Sequence, residues 1–273
     1  MQTFIDQLKS RIRDSGSHVC VGFDPDPDKM PPLFSSTPTG IFSFALKVLE
    51  EGAPYSAIIK PNLAFWACRG AFRELKGLIG AAQELGLQVI LDCKSGDIGN
   101  TAKAYAKMAF EYFGADAATL NAYLGTDTLE PWLNAGPTKA GFVLAHTSNP
   151  GAAKFQEKAL ADGVPLFVHI AEAAVACQTE QTAAMGLVMG ATFPDQIGAL
   201  ANIPDGTLML LPGIGKQEGD LAATVSHARR FELVVNSSSG ITHASEEDDF
   251  AEAAGRAAEK LRDEINAAMK VHI

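Results

Sequence analysis

Eight times along this chain a short apolar, β-branched run gives way to a longer stretch with helical spacing, and no linker or low-complexity tract breaks the series. The short runs fall at 18–25, 56–62, 88–94, 117–124, 141–148, 185–192, 208–213 and 232–237. Helices are expected at 41–51, 71–85, 101–113, 165–178 and 220–231, with a last one at 249–270. Several of the short runs are apolar on both faces, the pattern of a sheet covered by helices. Unbroken alternation of strand and helix implies parallel strands. Eight such units closing on themselves give an α/β fold, a single (β/α)8 TIM barrel as one domain over 1–273. A doubly wound open sheet is the alternative that the pattern leaves open. Before the first strand, Phe4, Ile5, Leu8 and Ile12 share one helical face, so an extra N-terminal helix is expected. The length of 273 residues suits one large barrel with a full core. The longest irregular connection is 151–163.

Composition narrows the function classes. The net charge is −10 and no basic tract is present, which argues against nucleic acid or an anionic membrane as partner. The first sixteen residues are charged and amphipathic rather than a secretory signal, and no stretch of 18 apolar residues follows. A cytoplasmic location is therefore expected. Cys20, Cys68, Cys93 and Cys177 are scattered without metal-ligand spacing and read as small buried residues of a reducing compartment.

The polar residues collect at one edge. Asp24, Lys60, Asp92, Lys94, Ser148, Gln217 and Ser237 all stand at or just past the C-terminal end of an expected strand. In a barrel that edge carries the active site. The most pointed of these segments is Val-Ile-Leu-Asp-Cys-Lys-Ser-Gly-Asp-Ile-Gly-Asn-Thr at 89–101. Residues two apart on a strand share a face, so Asp92 and Lys94 are expected to point into the barrel, with Asp97 in the loop beyond. Lys60 from the neighbouring strand would complete a cluster of alternating charge. A lysine flanked by carboxylates can act as a general acid, and a carboxylate beside it repels an anionic substrate group. That suits loss of CO2 followed by protonation of the carbanion. A purely structural salt-bridge network is the other reading of these residues.

Taken in order along the chain, the motifs at these strand ends are Val-Gly-Phe-Asp-Pro-Asp-Pro at 21–27, Lys-Pro-Asn at 60–62, Leu-Asp-Cys-Lys-Ser-Gly-Asp-Ile-Gly-Asn-Thr at 91–101 and Asn-Ala-Tyr-Leu-Gly-Thr-Asp-Thr-Leu-Glu-Pro at 121–131. Thr-Ser-Asn-Pro-Gly at 147–151, Gly-Ala-Thr-Phe-Pro at 190–194, Pro-Gly-Ile-Gly-Lys-Gln at 212–217 and Asn-Ser-Ser-Ser-Gly-Ile at 236–241 follow. Together they resemble the orotidine 5′-phosphate decarboxylase family, in particular its longer bacterial branch. The resemblance implies cofactor-independent decarboxylation of orotidine 5′-phosphate to uridine 5′-phosphate (UMP), the step that makes pyrimidine nucleotides. It implies a catalytic tetrad of Lys60, Asp92, Lys94 and Asp97, with Lys94 protonating C6 of the pyrimidine and Asp92 set against the leaving carboxylate. It further implies a homodimer with shared sites, in which Asp97, Ile98 and Thr101 reach into the partner's pocket. Substrate contacts are implied for Asp24 at the ribose hydroxyls, Ser148 at the pyrimidine amide and Gln217 at the phosphate. Asn62, Thr147, Pro212, Ser239 and Gly240 belong to the same motifs. No cofactor and no metal ligands are implied.

Two positions depart from the family pattern. Ser239 stands where the family carries an arginine that grips the phosphate, and Ser95 stands where the longer branch carries another. Losing a bidentate arginine–phosphate contact costs about 1.5–3 kcal/mol. Lys216, beside Gln217 in a glycine-rich run, offers a point charge rather than a fork. The departures keep two other readings open: a Mg-dependent sugar-phosphate lyase on the same barrel, and a non-catalytic nucleotide-binding paralogue. His146 precedes Thr147 at a strand end and reads either as a pocket residue or as a hydrogen-bonded structural histidine.

Overall fold

The computed structural model describes residues 2–191, 194–213 and 221–270. Eight parallel strands close into a barrel in sequence order: β1 (Val19–Phe23), β2 (Ile58–Pro61), β3 (Gln88–Ser95), β4 (Ala117–Leu120), β5 (Ala140–His146), β6 (Ala184–Met189), β7 (Leu208–Pro212) and β8 (Glu232–Ser237). The open-sheet alternative is thereby set aside, because β1 pairs with β8 as well as with β2. The helices are α1 (Phe4–Ser15), α2 (Pro38–Gly52), α3 (Leu63–Ala67), α4 (Phe72–Glu84), α5 (Gly99–Lys107), α6 (Glu130–Leu133), α7 (Leu166–Ala176), α8 (Pro194–Gly198), α9 (Leu221–Ala228), α10 (Ser239–Thr242) and α11 (Phe250–Lys270). One turn of π-helix, Met108–Tyr112, continues α5 and fills the rest of the expected helix at 101–113.

The period of two along each strand sorts the core into two compartments. Val19, Val21 and Phe23 of β1, Ile59 of β2, and Val89 and Leu91 of β3 face outward and pack under the helices. Cys20, Ile58, Ile90, Ala117, Phe142, Val188, Leu210 and Val234 face inward and fill the barrel. Continuing the inward parity toward the C-terminal ends gives Lys60 on β2, Asp92 on β3 and Thr119 on β4. The apolar filling therefore stops one layer below a polar one.

Helix α1 closes the opposite end. Its Thr3 cap and Asp6 form a reciprocal capping box, which satisfies donors at the helix start. Phe4 and Leu8 are fully buried and join the cluster inside the barrel. The Phe4 ring meets Phe142 edge-on at 6.4 Å. Its backbone N–H donates to Pro137 O at 2.9 Å, and its carbonyl accepts from Gln88 Nε2 at 3.2 Å. The apolar stripe of the expected N-terminal helix thus serves as the floor of the barrel.

The strand pairing is regular except at two places. The register shifts between Leu91 and Ser95 on β3, and between Leu144 and His146 on β5. Both lie at C-terminal strand ends, where an irregularity bends the strand and re-aims side chains.

Because Phe4 seals an otherwise open end, Phe4→Ala should destabilise the protein by about 3–5 kcal/mol. A urea titration should read this as a lower midpoint at unchanged slope. A change under 1 kcal/mol would mean that α1 is an appendage rather than part of the core.

Candidate active site

The charged centre is assembled by three adjacent strands. Lys60 and Asp92 are buried at the ends of β2 and β3, and an isolated bridge pairs Asn62 with Asp92. Lys60 Nζ lies 2.6 Å from Asp92 Oδ2, and Lys94 Nζ lies 2.6 Å from Asp92 Oδ1. Thr119 Oγ1 donates to the same Oδ1 at 2.8 Å. One carboxylate is therefore held by two ammonium groups and a hydroxyl. Lys60 is shut in with it, whereas the Lys94 side chain is 51% exposed and reaches into open space.

The electrostatics follow from this geometry. Burial alone would push the Asp92 carboxyl up, but the ammonium groups of Lys60 and Lys94 outweigh it and hold it well below the usual carboxylate range. Burial likewise opposes the charge on Lys60, and Asp92, followed by Asp24, outweighs it and raises Lys60 above its ordinary value. Beneath them, burial pushes the Cys20 thiol up to about 12, so it acts as an un-ionised filler. Cys68, by contrast, is exposed, which corrects the reading of all four cysteines as buried.

Lys94 takes a backbone φ of +46°, the left-handed region that side-chain-bearing residues rarely adopt. This bend falls within the β3 register shift. Asp92 and Lys94, two residues apart, meet at their charged ends beside it.

A cavity of about 480 Å3 opens over this centre. Lys60, Asp92, Lys94, Thr147, Ser148 and Pro212 line it, as the sequence led one to expect. Thr119, Leu144, Asn149, Gln156, Val188 and Leu210 line it as well and were not anticipated. The volume lies in the range of small-molecule sites, and the mixture of an apolar floor with a few polar groups is typical of them.

Gln156 shapes the wall that carries Ser148. Its Oε1 accepts from Thr147 N at 2.8 Å and its Nε2 donates to Thr147 Oγ1 at 2.8 Å. Thr147 Oγ1 in turn donates to Asn149 Oδ1 at 2.6 Å. The backbone of Ser148 rests on the end of β6 at Gly190, where a Cβ would come within 3.0 Å of Ser148 N. His146 is the structural histidine of the two readings. It is buried, with Nε2 2.9 Å from Glu157 Oε1 and its ring edge-on to Phe167.

The other expected residues that the structure describes are not in the wall of this cavity. Asp24 follows β1, and its Oδ1 is buried without a hydrogen-bond partner among the described residues. An acceptor so placed is costly unless a donor arrives. The Asn62 side chain accepts from Ala64 N at 3.1 Å and caps α3. Ser239 and Gly240 begin α10. Asp97 accepts from Ile98 N at 2.8 Å and makes no described contact with the Lys60–Asp92–Lys94 centre of its own chain. Ile98 is 61% exposed, and Thr101 is exposed beside it at the start of α5. Gln217 and Lys216 lie outside the described residues. Among the described residues, no helix is long and apolar enough to cross a membrane.

Comparison with known proteins agrees with this fold. Residues 17–254 match the family described as orotidine 5′-phosphate decarboxylase / HUMPS. The chain is similar to the orotidine 5′-phosphate decarboxylase of Bordetella pertussis, 41% identical over 271 residues, covering 97% of this chain and 98% of that one. It is also similar to that of Cupriavidus necator, 41% identical over 269 residues with 97% and 98% covered. Among solved structures, it resembles the Leishmania donovani OMP decarboxylase with a TM-score of 0.83 at 31% identity, covering 99% of this chain and 100% of that one. It resembles the putative Toxoplasma gondii orotidine-monophosphate decarboxylase with a TM-score of 0.87 at 29% identity, covering 98% and 96%. The matched span, the near-complete coverage at 41% identity and the shared barrel have one conclusion: this chain belongs to the orotidine 5′-phosphate decarboxylase / HUMPS family.

Proposed function

We propose that this protein is a carbon–carbon lyase that decarboxylates orotidine 5′-phosphate to UMP in pyrimidine biosynthesis. The observation that carries the reading is the Lys60–Asp92–Lys94 centre, in which a buried carboxylate and a solvent-reaching ammonium share one cavity. The C6–carboxylate bond breaks, its electron pair stays on C6, and CO2 leaves. Lys94 then gives its proton to C6 and is left as the neutral amine. Asp92 stands against the substrate carboxylate. Repulsion there is relieved as CO2 departs, and the fixed charges are already in place for the carbanion, so little reorganisation is needed. Lys60 holds the second oxygen of Asp92 and stops that carboxylate from turning away. The Asp24 oxygen that has no hydrogen-bond partner among the described residues fits a ribose hydroxyl donor, and Ser148 fits the pyrimidine amide.

The same reading makes the site a product of two subunits. Asp97, Ile98 and Thr101 lie at the edge of their own chain and outside its centre. Tyr123 and Leu124, in the neighbouring loop after β4, are 80% and 50% exposed. A second copy covering this edge would bury them and deliver Asp97 to the opposite cavity.

Ultraviolet absorbance of orotidine 5′-phosphate, followed with purified protein in the presence of a chelator, tests the reaction. Lys94→Ala should lower kcat by about 10²–10⁴-fold while the protein stays folded and binds UMP. A loss under tenfold, or activity that returns only with added Mg²⁺, overturns the assignment.

Mixing inactive Lys94→Ala with inactive Asp97→Ala should restore activity, since each mixed dimer regains one site with both native residues. Random exchange should return about a quarter of the wild-type rate. Subunits that exchange without regaining activity would mean that each site is complete within one chain.

The phosphate end carries the departure at Ser239. Backbone N–H groups at a helix start favour an anion but lack a guanidinium's full charge. Ser239→Arg should lower the Michaelis constant by about 10–100-fold. If the Michaelis constant does not change, and unphosphorylated orotidine reacts as well as its phosphate, the substrate differs from the family's.

A further inference from the structure

We infer that Thr119 is a positioning residue of the decarboxylation site, one hydroxyl that sets both the direction of Asp92 and the backbone from which Lys94 projects. The inference rests on the reaction proposed above. Thr119 is buried on the inward face of β4 and lines the same cavity as Lys94. Its Oγ1 accepts from Lys94 N at 2.9 Å and lies 2.8 Å from Asp92 Oδ1.

The direction of these two bonds is forced. Lys94 N–H can only donate, and the carboxylate of Asp92 can only accept. The single hydroxyl proton of Thr119 therefore points at Asp92, and its lone pair receives Lys94. A valine of the same shape could do neither.

The backbone explains why a side chain is needed here. Between Leu91 and Ser95 the β3–β4 register slips, and Lys94 bends to a φ of +46° within that stretch. There the Lys94 N–H finds its acceptor in the hydroxyl of Thr119 rather than in a strand carbonyl. Without Thr119 a strained residue would keep its strain and lose this bond. The Lys94 ammonium and the Thr119 hydroxyl also meet on one oxygen, Asp92 Oδ1. Losing the hydroxyl frees the carboxylate to rotate, and the proton donor moves with it. A misplacement of this kind acts on the chemical step more than on substrate affinity.

Three measurements on Thr119→Val and Thr119→Ser test this: kcat, KM, and the dissociation constant of UMP as probe, all well below the melting temperature. Thr119→Val should lose about 10–100-fold in kcat, with KM and UMP binding within about threefold of wild type. Thr119→Ser keeps both bonds and should stay within about threefold of wild-type kcat. If Thr119→Val does not fold, Thr119→Ala takes its place with the same expectation. An unchanged kcat, equal losses in the valine and serine variants, or a loss confined to KM and UMP binding overturns the proposal. A wild-type protein that leaves orotidine 5′-phosphate untouched overturns the reaction itself and this role with it. An active wild type beside an unaffected valine variant overturns only the role of Thr119.

Discussion

Asp92 is a carboxylate inside a barrel, and the arrangement of the C-terminal face answers to it. An isolated charge at that depth would cost several kcal/mol in lost hydration. Two ammonium groups and a hydroxyl offset that cost, and each comes from a different place: Lys60 from β2, Thr119 from β4, and Lys94 from the bend in β3 itself. Pairing of Asn62 with Asp92, and of β3 with β4, sets the level at which the charges meet.

The same pairing fixes the charge state. Asp92 has a lowered pKa, so its contribution to stability is present above the ordinary carboxylate value and is lost as pH falls through the lowered one. Lys60 has a raised pKa, so its contribution is present below the ordinary lysine value and is lost as pH rises through the raised one. Between about pH 4 and about pH 10 the buried pair stays ionised. In the proposed reaction, a substrate carboxylate set against Asp92 would therefore meet a negative charge.

Much of this was legible in the sequence because it rests on periodicity and on rare residue types in telling places. The eight apolar runs produced the barrel, and Glu232–Ser237 matched its expected span to the residue. Lys60, Asp92 and Lys94 stood out because charged residues ending apolar strands are uncommon. Other features left no such mark. Threonine is an ordinary strand residue, so Thr119 is visible only once the inward parity of β4 is fixed. Gln156 lies in an irregular connection whose path no period describes. The run 117–124 ends as a strand at Leu120, and its last residues, Tyr123 and Leu124, turn to the surface. Short helices such as α3, α6 and α10 span too few residues for a helical period to appear. Asp97 makes no described contact with the charged centre of its own chain, so the role proposed for it in a second subunit's site has no mark in the fold of one chain.

The barrel separates its tasks along its axis. At the end closed by α1 the strands pair regularly, and Phe4 and Leu8 complete an apolar filling. At the other end lie both register shifts, the left-handed Lys94, the buried charges and an oxygen of Asp24 without a hydrogen-bond partner among the described residues. The irregular backbone and the buried charges are thus gathered in one layer above the apolar filling. Ser239 sits in that layer, at the start of α10, a helix of four residues. If position 239 meets the phosphate as proposed, serine in place of arginine there forgoes a ligand contact without opening a cavity in the apolar filling. The cost of the exchange should accordingly fall on phosphate affinity and leave the barrel as stable as before.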